Sequence, residues 1–218
     1  MSEMVGAGLG RAPITLALFP LQSVLFPAAV LPLKVFEARY LDLVGRCLRE
    51  RSVFGVVCLR QGLEAGLEAG LEAGRDGVRF EREGVLARID TVDAEQAGIL
   101  QLRCSGTHRF SIEGEPRQAR DGLWSADVTL QADDEVQAPE AAYLPTAKAL
   151  ANAIQALREQ GVAPFAEPFR YNDAGWVANR WCEILPIPLA AKQRLMLLPD
   201  PQLRLRLVDE YLRSKGVL

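Results

Sequence analysis

The chain has 218 residues, 49% of them hydrophobic and 24% charged, and its 25 basic and 28 acidic side chains leave a formal charge of −3. That usage excludes global disorder and suits one domain or two small ones. The excess of Lys and Arg typical of proteins that bind nucleic acid by neutralising phosphate is missing, so no nucleic-acid partner is expected. No run approaches the roughly 18 consecutive apolar residues of a membrane helix. Met1–Gly10 lacks the basic start of a secretory signal. The expected setting is cytoplasmic, with no membrane partner. Cys47, Cys58, Cys104 and Cys182 form no CxxC pair, which reads as four buried, reduced thiols.

Residues 1–12 are glycine-rich and unpatterned, and read as a flexible leader. Leu16, Leu18 and Leu21 open an extended segment punctuated by Pro20, Pro27 and Pro32. Each proline removes a backbone donor and clashes with a preceding helical turn, so short strands are expected. From Glu37 to Arg51 the period changes: Phe36, Tyr40, Val44, Cys47 and Leu48 fall on one helical face. Ser52–Leu59 returns to strand residues. Residues 62–74 repeat GLEA three times and end on glycine. A glycine in every helical turn costs about 1 kcal/mol each against alanine, so this segment reads as a mobile acidic loop.

Residues 78–130 read as strands. Val85–Ile89 and Ile99–Arg103 flank a hairpin connection at Asp93–Gly98. Arg103–Phe110 reads as two strands folded about Ser105-Gly106. Trp124, Ala126, Val128 and Leu130 form the core side of a further strand. Helices follow: Ala141–Gln160 stopped by Gly161, one capped by Asp173 with Val177, Trp181, Ile184 and Leu185 inward, and Leu189–Leu198. The last opens on Asp200-Pro201 with Leu203, Leu207, Val208, Tyr211 and Leu212 as its stripe. The division is therefore 13–132 β-rich and 138–218 α-helical.

Together LFPLQSVLFPAAVLPLKVFEARY at 18–40, FGVVCL at 54–59, GVLARI at 84–89, GTHRFSI at 106–112 and the tail from Ile184 to Val208 carry a resemblance. They resemble the N-terminal substrate-binding domain of the Lon ATP-dependent protease, a family with free-standing bacterial members. The resemblance implies an α+β fold: a PUA-like β pseudo-barrel followed by a helical bundle. It implies a non-catalytic module that recognises unfolded or tagged polypeptides, with a protease or chaperone machine as a further partner. The alternative is an RNA-binding PUA-like domain. A homodimer through the helical region stays open.

Enzymatic chemistry has little support. No GxxxxGK[ST] phosphate loop occurs. Ser214-Lys215 lie at the chain's end, where a desolvated lysine base has no pocket. His108 is the sole histidine and reads as a structural strand residue, Cys104/His108 lacking a second ligand pair. No catalytic residue, metal or cofactor is therefore expected. Candidate peptide-binding residues are Glu37 and Arg39 at the first helix, and Phe165, Phe169 and Trp176 in the aromatic-rich loop 163–176. Glu37 also suits the helix dipole. Trp176, one position off its helix's apolar stripe, is the tryptophan expected at the surface. That loop is either packed under itself or a binding patch.

Overall fold

A computed structural model describes residues 14–61 and 78–218. The expected leader (1–12) and the GLEA loop (62–74) lie outside the described residues. The chain is α+β. Strands β1 (Ile14–Leu21), β2 (Val30–Val35), β3 (Phe54–Gln61), β4 (Arg79–Gln96), β5 (Ile99–Gln118) and β6 (Trp124–Leu130) share one sheet. Helix α1 (Ala38–Glu50) lies between β2 and β3. Helices α2 (Leu144–Glu159), α3 (Ala174–Ile184), α4 (Leu189–Leu197) and α5 (Pro201–Ser214) follow β6.

The sheet order is β2-β5-β4-β3-β1-β6, and β5 pairs again with β6, so five strands close a ring while β2 hangs on β5. β1 and β3 run parallel, Leu18 opposite Gly55; the other pairings are antiparallel. Strand alternation sends one set of side chains inward. Leu16, Leu18, Val57, Leu86, Phe110, Ile112, Ala126 and Val128 make that inner cluster. Gly55 and Gly84 leave room for it: a Cβ on Gly55 would sit 2.8 Å from the Phe110 ring, and one on Gly84 2.7 Å from it. The opposite faces, with Phe19, Phe54, Val56, Cys58, Val85 and Cys104, join the helices in a larger, continuous core.

β5 runs unbroken through Ser105-Gly106, against the expected turn there. Gly106 serves close approach: its N–H donates to the Ala29 carbonyl (2.9 Å), its carbonyl accepts from Ala28 (2.9 Å), and the Phe26 carbonyl occupies the space of a side chain. The loop it receives, Phe26-Pro27-Ala28-Ala29, turns through Ala28 at φ 60°. Two helical faces also differ from expectation. α1 buries Tyr40, Leu43, Val44 and Cys47, with Phe36 and Leu48 left exposed. α5 buries Pro201, Arg204, Leu205, Val208, Asp209 and Leu212, leaving Leu207 outside. The buried charges are ion-paired, which lets that face turn inward.

Candidate functional site

Among the described residues β2 is the one strand with a single neighbour. Alongside it lies a groove of about 390 Å³. Its floor is apolar: Leu21, Val24, Leu25 and Ala29 are all buried. Val30–Leu33 of β2 form one wall, and Leu189 and Lys192 of α4 with Glu183 of α3 the other. The prolines explain this local structure. Pro27 and Pro32 prevent a helix, and a proline within a strand belongs at a sheet edge.

Arg180 holds in place the turn that leads into the groove's Ala29 and β2. It is 1% exposed, and its Nη2 donates to the Pro27 carbonyl (2.8 Å) and its Nη1 to that of Ala28. Its other partner is the Glu183 carboxylate. Burial pushes the Glu183 carboxyl up to about 7, against the opposing pull of Arg180 and Lys192. Lys192 donates from Nζ to the Glu183 carbonyl (2.9 Å), and burial pulls its ammonium down from its ordinary value. The groove thus joins an apolar floor to one charged end.

A second polar cluster locks the helices to the ring. Asp134, between β6 and α2, accepts from Arg109 Nη2 (2.7 Å) and Arg204 Nη1 (2.6 Å). Arg109 also donates to the carbonyls of Met196 and Ala132 (both 3.0 Å), and Arg204 to those of Leu195 (2.8 Å) and Leu198 and to the Asn179 side chain (3.0 Å). Every element these residues belong to is thereby tied to one carboxylate.

The five residues singled out from sequence fall in two places, neither of them the groove. Glu37 caps α1 by backbone position only; its carboxylate accepts from Arg39 Nε (2.8 Å), while Arg39 Nη1 reaches the Gly122 carbonyl (3.0 Å). Phe165, Phe169 and Trp176 come together with Tyr171, centroids 5.6–6.4 Å apart. Trp176 is 3% exposed, contrary to the surface position expected, because α3 is buried on all sides from Ala174 to Cys182. Phe165 is buried too, and Phe169 half-buried beneath Arg158. The loop is packed under itself.

Other reactive groups are committed elsewhere. His108 is exposed, 3.4 Å from Asp133, and no three His, Cys, Asp or Glu side chains gather into a metal-holding group among the described residues. Ser214 donates to the Tyr211 carbonyl (2.7 Å) on an exposed helix end. All four cysteines are free and buried; burial raises Cys58 to about 11, and Cys104 and Cys182 to about 12. Among the described residues no helix is long and apolar enough to cross a membrane.

Residues 15–214 match the model of the ATP-dependent protease La (LON) substrate-binding domain. The chain belongs to that family. A Lon N-terminal domain protein from Xanthomonas campestris superposes with a TM-score of 0.69 at 30% identity, over 91% of this chain and 98% of its own. The N-terminal domain of the Mycobacterium avium complex Lon protease does so at 0.59 and 16% identity, over 91% and 97%, a likeness of fold. No curated protein matches. The β2 groove was missed in sequence because its walls come from segments far apart in the chain. The one available signal was the run of prolines, which marks β2 as an edge strand.

Proposed function

We propose that this substrate-binding domain is a non-catalytic recognition module for extended, apolar stretches of unfolded or tagged polypeptides, which it takes along the open edge of β2. The observation that carries the reading is the pairing of a strand that has one neighbour with an apolar-floored groove beside it. An extended peptide can add to such an edge through its backbone, while alternate side chains drop onto Leu21, Val24 and Leu25. The PUA-like description suits the strand ring, with 138–218 as its helical buttress. A protease or chaperone machine would receive the bound chains, and the cytoplasm is the compartment this implies. Phe165 and Trp176 then act by support, while Phe169 and Arg39 keep some surface for peripheral contact.

The test is fluorescence anisotropy of a labelled, permanently unfolded polypeptide such as reduced, carboxymethylated α-lactalbumin. Binding should survive 1 M salt, since apolar contact is not screened. Leu189→Asp, on a half-open wall, should weaken it about ten- to hundredfold, the equivalent of roughly 1.5–3 kcal/mol of apolar contact. Unchanged affinity in that variant, or loss of binding at high salt, would sink the reading.

A further inference from the structure

A second cleft, of about 650 Å³, opens at one end of the strand ring and is lined by Arg60, Val78, Arg79, Phe80, Arg82, Glu115, Pro116 and Trp124. Pairing of β3 with β4 assembles it, setting Leu59 opposite Phe80 and Gln61 opposite Arg79. Three arginines therefore line one cleft although the whole chain is acidic. Arg82 is fixed, donating from Nη2 to the carbonyls of Ile112 (3.0 Å) and Gly114. Two carboxylates offset part of the charge: Glu81 lies 3.3 Å from Arg60 and Glu115 3.9 Å from Arg82. Arg79 makes no ion pair among the described residues. Phe80 and Trp124 pack edge to face, centroids 5.4 Å apart, over the end of the inner cluster. Trp124, expected in the core, is only half-buried.

We propose that this cleft binds a nucleoside phosphate, the base against Trp124 and Phe80 and the phosphate on Arg60, Arg79 and Arg82. Guanidinium groups beside aromatic rings match the two halves of that ligand, an anion and a planar π-face. An acidic peptide would use the arginines and leave the indole without a planar partner. A free nucleotide and a single-stranded RNA present the same chemistry, and the test separates them. The site is distinct from the β2 groove and shares no lining residue with it.

Tryptophan emission reads it directly, because Trp176 and Trp181 are 3% and 5% exposed and Trp124 is the accessible one. AMP, a twelve-nucleotide oligo(U), inorganic phosphate and poly-glutamate are titrated at low salt. AMP or oligo(U) should quench saturably, with phosphate at least tenfold weaker. Oligo(U) binding at least tenfold tighter than AMP identifies an RNA strand; equal affinity identifies a nucleotide. The double variant Arg60→Glu/Arg79→Glu, at two exposed positions, should weaken binding at least tenfold with its thermal midpoint and its affinity for unfolded polypeptide unchanged. Trp124→Phe should abolish the quench while anisotropy of labelled oligo(U) keeps a fold-independent check on binding. No saturable quench by either nucleotide probe, an unchanged response in the double variant, or equal displacement by poly-glutamate would overturn the proposal.

Discussion

Three arginines, Arg109, Arg180 and Arg204, lie at 5% exposure or less, and their guanidinium groups hold loops and helix ends by donating to main-chain carbonyls. Charged side chains are almost never fully buried unless paired, and each of these has a carboxylate plus main-chain carbonyls. Among the described residues Asp134 is the single anion for two of them. Taking it away strands two buried positive charges, and breaking such a pair typically costs about 3–5 kcal/mol. Asp134→Ala should therefore lower the urea midpoint by that equivalent. A loss below about 1 kcal/mol in equilibrium unfolding would show that the network is not holding the helices to the ring. Arg204 also explains the misjudged face of α5. A reading that places every charge outside puts Leu207 inward, and the paired arginine reverses that.

At the scale of elements, the groove depends on α3 and α4 meeting the β2 edge at Glu183. That carboxyl, ordinarily near 4.5, is pushed by burial up to about 7. Between those values the folded chain keeps a proton that the unfolded chain has lost. Stability contributed by this group is thus present below about pH 4.5 and falls as pH rises to about 7. Glu183→Gln should flatten the decline in urea midpoint between pH 5 and pH 8; an equal decline in the variant would refute the assignment. Most elements were legible in the sequence because period and punctuation agree: Asp173 and Asp200 cap α3 and α5 through side-chain bonds as expected. Gly106 was not. A glycine that makes a turn and one that admits another backbone look alike in sequence, and the Phe26 carbonyl that decides between them is remote in the chain. The aromatic loop was half legible: its density in rings marked a cluster, but burial of all sides of α3 turned that cluster inward.

For the whole molecule, five strands close a ring, and among the described residues β2 is the strand paired on one side along its whole length. A continuous core joins that ring to α1–α5, so the edge and the groove wall are held at a set distance by the same packing. Open edges invite strand addition, and proteins usually cover or blunt them. Here Pro32 blunts the strand without closing the groove. The candidate site itself was only partly readable, since a groove is a property of surfaces that meet in space. The most direct measurement is amide hydrogen exchange across β2 with and without saturating unfolded polypeptide. Edge addition predicts slowed exchange within Val30–Val35, with Leu189→Asp removing the effect. Unaltered exchange in β2 while binding is saturated would contradict it and move the polypeptide site elsewhere on the fold.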